Sequence, residues 1–218
     1  MAETLVLIDY GSGNLRSAAK AFERAAGDLG LETQVKISGD PDAIAGADRI
    51  VLPGVGAYGQ CTTALHAIPG LVEALQEATH EKGRPFLGIC VGMQLLATRG
   101  LEHGAHKGLD WIGGDVVRLE PDDASLKIPH MGWNTVTLTD GGRSHPVFGK
   151  LPDNGFAYFV HSYHYRAAEE AHVLGRTEYG GQVVALVGRD TIIGTQFHPE
   201  KSQAYGLGLL SAFLEWRP

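Results

Sequence analysis
One segment of the chain has the residue types and spacing for covalent chemistry: Pro85-Phe86-Leu87-Gly88-Ile89-Cys90-Val91-Gly92-Met93-Gln94. A cysteine stands between two glycines, after an apolar run that reads as a strand and before residues that read as a helix. This is G-x-C-x-G, the cysteine form of the strand-to-helix elbow that exposes a nucleophile. Glycine suits both flanks because the turn is sharp and the backbone passes close to its neighbours. A helix N-terminus, with its dipole and free N–H groups, favours a thiolate. Cys90 is therefore a candidate nucleophile, and it needs a base.

The chain has ten histidines. His198 lies in Phe197-His198-Pro199-Glu200-Lys201-Ser202, where Pro199 biases it toward an extended conformation. Residues i and i+2 of an extended segment point the same way, so Glu200 could hold the His198 tautomer. Alone, the motif reads better as a turn that starts the last helix. Beside Cys90 it completes a nucleophile, base and orienter. The other histidines offer less. His103 and His106 form H-x-x-H in a glycine-rich loop without a third ligand, and His161 and His164 would face opposite ways on a strand, so no metal is expected.

Acyl transfer also needs donors for an oxyanion. Gly54, Val55 and Gly56 follow a strand and could turn N–H groups toward a ligand, and the N–H of Val91 would be the second donor. A plain strand-to-helix turn accounts for Gly54–Gly56 as well. Asp9-Tyr10-Gly11-Ser12-Gly13-Asn14-Leu15-Arg16 begins like a dinucleotide-binding loop, but Arg16 stands where the third glycine belongs. No cofactor is expected, although that helix start could bind an anion or contact a partner.

The elements that must position these residues alternate. Thr4–Asp9, Gln34–Ile37, Arg49–Leu52 and Pro85–Ile89 read as buried strands. Helical spacing follows from Asn14, from Ala57 with a break at Pro69-Gly70, and over Val91–Thr98. Such alternation predicts an α/β fold: one domain over 1–218, with a mostly parallel central sheet flanked by helices. Beyond residue 110 the chain is richer in β-like runs, at Val116–Leu119, Thr135–Leu138, Ala157–Val160, His172–Leu174, Val183–Val187 and Thr191–Gln196. Tyr205–Trp216 reads as a closing helix.

Composition narrows the function. With 218 residues and 44% hydrophobic content the chain can bury a large core. A formal charge of −7 argues against a nucleic-acid partner. Cys61 and Cys90 are too few for a disulfide framework, which suits a reducing cytoplasmic setting. Met1–Thr4 lacks a basic leader region, Leu5–Ile8 is too short for a leader's apolar core, and no apolar run is long enough to span a membrane.

Together these motifs resemble the triad-type, class I glutamine amidotransferases. The resemblance implies Cys90 as nucleophile, His198 as general base and acid, and Glu200 as orienter. It places Gly54, Val55, Gly56 and Val91 at the oxyanion region. It makes Gln94, one helical turn beyond Cys90, a contact to substrate glutamine, as are the residues of Val160-His161-Ser162-Tyr163. Within that family, Gly13-Asn14-Leu15-Arg16-Ser17 and Pro129-His130-Met131-Gly132-Trp133-Asn134 resemble the members serving histidine biosynthesis. These form a heterodimer with a separate (β/α)8 cyclase that consumes the ammonia. Asn14, Trp133, Asn134, Tyr158 and Lys201 would then face that partner. Val91 and His164 depart from the usual leucine and aromatic, without removing a group the triad needs. The alternatives are an amidotransferase subunit of the pyridoxal phosphate or anthranilate synthase type, a cysteine hydrolase or peptidase, and a flavodoxin-like binding or redox module.

Overall fold
A computed structural model describes residues 2–218, so Met1 lies outside the described residues. The first half alternates as its apolar runs require: β1 (Glu3–Ile8), α1 (Leu15–Asp28), β2 (Thr33–Ser38), α2 (Pro41–Ala45), β3 (Arg49–Gly54), α3 (Tyr58–Ala67), α4 (Leu71–Gln76), β4 (Phe86–Cys90) and α5 (Val91–Gln94). The second half is strand-rich: β5 (Arg99–Gly100), β6 (His106–Lys107), β7 (Gly114–Arg118), β8 (His130–Leu138), α6 (Asp140–Ser144), β9 (Gly155–His161), β10 (Tyr163–Ala167), β11 (Val173–Glu178), β12 (Gln182–Arg189), β13 (Ile192–Thr195) and α7 (Gln203–Glu215).

Nine strands form one sheet in the order β2-β1-β3-β4-β13-β12-β11-β8-β9. The pairs from β2 through β13 are parallel, and those from β13 through β9 are antiparallel. Strands β3 and β4 are buried along their whole length, as both-faced burial in a parallel sheet demands. β10, β7, β5 and β6 form a smaller second sheet. Helices flank the large sheet; α1 and α7 meet through an edge-to-face contact of Phe22 with Phe213.

One expected helix is shorter than its periodicity suggests. The segment Val91–Thr98 is helical only to Gln94. The carbonyls of Leu95, Leu96 and Ala97 accept N–H groups from Leu109, Trp111, Ile112 and Asp110, so tertiary partners replace further helical turns.

Arg49 is 2% exposed at the start of β3. It donates to the carbonyls of Phe213 and Trp216 at the end of α7 and to Glu3, satisfying groups that a helix end leaves open. Arg49→Met should therefore destabilise the fold by about 2–3 kcal/mol, since buried carbonyls lose their donors. Urea unfolding measures this; an unchanged midpoint would show that those carbonyls find other partners.

Candidate active site
The elbow forms as its glycines allow. Cys90 ends β4 and precedes α5 with φ 54°, ψ −111°, a region that a side chain adopts only under constraint. A Cβ on Gly92 would collide with the Leu52 carbonyl oxygen, and one on Gly88 would lie 2.7 Å from the Gly92 carbonyl oxygen. The cysteine thus sits where β3, β4 and the first turn of α5 are in close contact, directly across from Gly54 in the strand register.

His198 follows β13, the neighbour of β4. Its Nδ1 lies 2.9 Å from Glu200 Oε1, and both side chains are almost fully buried. The pairing matches the expectation, but its route differs. His198 itself is extended, whereas Pro199–Lys201 is a single 3-10 turn leading into α7. The motif is thus both a turn into the last helix and a close His–Glu pair. Burial alone would lower the pKa of His198, but hydrogen bonds to Cys90 and Glu200 outweigh it and raise the value to about 10. An imidazolium beside the sulfur is the partner a thiolate nucleophile requires.

These groups open onto a cleft of about 320 Å³ lined by Val55, Gly56, Cys90, Val91, Gln94, His161, Ser162, Tyr163, His198 and Lys201, among others. Gly54 packs behind it; a Cβ there would meet Tyr10 Oη and the Gly92 nitrogen. The expected oxyanion donors are not alike. Val91 heads α5, where an N–H has no partner within the helix. The Val55 N–H does not face the cleft as an oxyanion donor must: it donates to Ser12 Oγ at 3.2 Å, and Ser12 Oγ donates to the Val55 carbonyl at 2.7 Å. The serine of the first βα turn holds this peptide.

Gln94 Nε2 donates to the Tyr163 carbonyl and to Gln196 Oε1, each at 3.0 Å, which leaves Gln94 Oε1 to accept from a ligand. The ring of His161 is also committed. Its Nδ1 meets the Tyr163 carbonyl and its Nε2 meets His130 Nδ1, both at 2.9 Å. His161 therefore shapes the wall rather than offering a ring nitrogen to substrate. Burial drives both imidazoles down, His130 to about 4 and His161 to about 3, so both stand neutral.

Two residues here were missed in the sequence. Glu102 lines the cleft in the loop read only as glycine-rich, and its Oε2 accepts the Tyr58 N–H. Gln196 is fully buried, with Nε2 3.7 Å from Cys90 Sγ. Its signal was available: it stands two residues before His198, on the same side of an extended segment.

The expected partner residues divide. Trp133 is 47% exposed and packs edge-to-face on half-buried Tyr158, its cross-strand partner, over which the Lys201 ammonium sits. Met131 and Phe156 extend the same apolar face. Asn134 does not join it. Its amide donates inward to the Glu178 carbonyl and meets His130 Nε2, because β8 alternates faces between Trp133 and Asn134. Asn14 is half-buried at the start of α1. Cys61 and Cys90 are both free. Among the described residues no group of His, Cys, Asp or Glu is arranged to hold a metal, and no helix is long and apolar enough to cross a membrane.

The glutamine amidotransferase class-I family profile matches residues 6–214. The chain is 60% identical to the imidazole glycerol phosphate synthase subunit HisH of Bradyrhizobium diazoefficiens, over 99% of this chain and 100% of that one. The identically named subunit of Rhodopseudomonas palustris is 57% identical over 99% and 100%, and that of Rhodospirillum rubrum 54% over 98% and 99%. Among solved structures, a glutamine amidotransferase superposes with a TM-score of 0.69 at 18% identity, covering 96% of this chain and 97% of that one. A glutamine amidotransferase from Thermotoga maritima gives 0.64 at 17%, covering 92% and 77%. At these identities the solved structures speak for the fold.

The raised pKa of His198 fixes a sign. Its protonated form is favoured by the fold, so its contribution to stability is complete below its ordinary value of about 6.5 and is lost as pH rises through about 10. Glu200→Gln should bring that midpoint down and flatten the stability profile on the alkaline side. NMR titration of His198 with urea unfolding across this range tests it; a midpoint that stays near 10 would contradict the part given to Glu200.

Proposed function
This chain belongs to the class-I glutamine amidotransferases, and from that membership we propose that it is the glutaminase subunit of an imidazole glycerol phosphate synthase. It hydrolyses glutamine to glutamate and ammonia and passes the ammonia to a cyclase subunit. The cyclase makes imidazole glycerol phosphate and AICAR in histidine biosynthesis. The observation that carries the chemistry is the buried His198–Glu200 pair at 2.9 Å beside Cys90 on its elbow. The relatives bearing the HisH name, similar along the whole chain, carry the pathway.

The residues divide the work as follows. The Cys90 thiolate adds to the side-chain amide carbon of glutamine, and the Val91 N–H stabilises the oxyanion. His198 gives its proton to the departing nitrogen, the C–N bond breaks and ammonia leaves a glutamyl thioester. Neutral His198 then takes a proton from water, whose oxygen attacks the thioester; glutamate leaves and the thiol returns. Glu200 holds the imidazole throughout. The free Gln94 Oε1 and the Glu102 carboxylate suit the α-ammonium group of the substrate, since a charge-assisted bond needs an acceptor there. Ser162 and Tyr163 border the same pocket.

Ammonia released into water is mostly protonated to ammonium, which is not nucleophilic, so delivery to a docked partner is chemically sensible. The exposed face of Met131, Trp133, Phe156 and Tyr158, with Lys201 at its edge, suits a (β/α)8 cyclase forming a heterodimer. Neither nucleic acid nor membrane enters this reading. One amidotransferase domain over 1–218, working in the cytoplasm, completes it.

In the assembled complex, Cys90→Ala should abolish glutamine-dependent cyclisation and leave cyclisation with added ammonia intact; loss of both would count against the two-subunit scheme. Glu102→Gln should raise KM for glutamine by about ten- to a hundredfold, the worth of one charged hydrogen bond, with kcat little changed. Steady-state glutamate release measures it, and an unaltered KM would remove Glu102 from substrate recognition.

A further inference from the structure
Ser202 precedes the first residue of α7, the position where a serine normally accepts an N–H from the helix's first turn. Its side chain makes no such cap. It is 1% exposed, and its Oγ is committed elsewhere. Oγ donates to the His198 carbonyl at 2.7 Å and accepts the Tyr158 N–H at 3.0 Å. The His198 N–H in turn donates to the Tyr158 carbonyl at 3.0 Å. Both backbone groups of His198 and both of Tyr158 thus close one hydrogen-bonded ring, in which the serine hydroxyl is the only side-chain group.

We infer that Ser202 is a positioning residue for the glutaminase reaction, clasping the backbone of the base His198 to Tyr158 on the partner-facing strand. The inference rests on the glutaminase reading above. Three observations favour it over a merely structural hydroxyl. The serine forgoes the cap its position offers. The segment it closes is tight: Pro199–Lys201 is a single 3-10 turn, and Gln203 beyond it has φ 48°, a left-handed value that a non-glycine residue holds only under constraint. The far side of the clasp is the residue whose side chain packs against Trp133 and lies under Lys201. Backbone displacement at Tyr158 therefore acts on His198 through one direct hydrogen bond and one link relayed by the Ser202 hydroxyl, without passing through the core.

The test uses the complete complex with three variants. Ser202→Ala removes the hydroxyl. Ser202→Gly removes it while keeping a residue tolerated at helix N-caps, which spares α7. Ser202→Thr keeps the hydroxyl. Both hydroxyl-free variants should lose about a hundredfold in kcat for glutamate release, the effect of a base displaced by about an ångström. KM for glutamine and cyclisation with added ammonia should stay unchanged, and threonine should recover most of kcat. NMR titration of His198 reads the clasp without turnover. Its midpoint should fall from about 10 in the alanine and glycine variants and hold in the threonine variant. Near-wild-type kcat in both hydroxyl-free proteins overturns the inference, as does a rise in KM with kcat preserved, or a His198 midpoint that stays in place. A wild-type complex that releases no glutamate defeats the glutaminase reading instead, and the titration still decides the clasp.

Discussion
The close approach of backbone to backbone at Gly92 is the constraint on which the active site depends. Leu52 of β3 presents its carbonyl where a side chain at 92 would have to go, and Gly88 of β4 leaves room for the same turn of α5. Only with these side chains missing can the helix start directly over the sheet. That start puts Cys90 in a backbone conformation costing about 1–3 kcal/mol, which the surrounding buried strands must overcome. The return is a cysteine that lines the cleft at the head of α5, where helical N–H groups lack partners within the helix. Gly54, opposite Cys90 in the register, closes the elbow from the β3 side.

The change of sheet direction at β13 brings the base to this point. β13 runs parallel to β4 on one side and antiparallel to β12 on the other. Its register with β4, Thr195 against Ile89, makes the two strands end at the same edge. Cys90 and the Gln196–His198 segment therefore leave adjacent strand ends, although they are far apart in sequence. The parallel half of the sheet supplies Cys90. The strands beyond the switch lead to His198 and supply the cleft wall and the exposed β8–β9 face.

Much of this could be read from residue patterns, and what could not has physical reasons. Buried parallel strands announce themselves as unbroken apolar runs, so β1, β3 and β4 were legible, as was the elbow, whose glycines are mandatory. The grouping of Cys90, His198 and Glu200 was legible because each lies in a short motif. The helix after Cys90 was overestimated: periodicity reports a buried face, but it is blind to the Leu109–Ile112 segment that takes its carbonyls. The resemblance groups Asn134 with Trp133, whereas strand alternation turns the two side chains to opposite faces. The orientation of the Val55 peptide was not legible: a glycine-flanked peptide can turn either way, and here Ser12, remote in sequence, holds its N–H. Glu102 and Gln196 act through long-range packing that no local pattern encodes, although the spacing of Gln196 from His198 was a usable sign.

Charge placement explains why the cleft needs so many histidines but only one cation among its imidazoles. His130 is stacked between Phe159 and Tyr179, and its Nδ1 meets His161 at 2.9 Å. The ring contacts assign the protons: His161 donates to the Tyr163 carbonyl, so it accepts from His130, which accepts in turn from Asn134. Every nitrogen of the pair is used with both rings neutral. Protonating either would bury a second positive charge near His198, whose field already disfavours charge on His161. The pair can therefore stiffen the Tyr163 carbonyl, and through it Gln94, without competing for the carboxylate of Glu200. His198 is the imidazole with both a thiol and an acid beside it, and the hydrogen bonds around the other two keep their charge state apart from it.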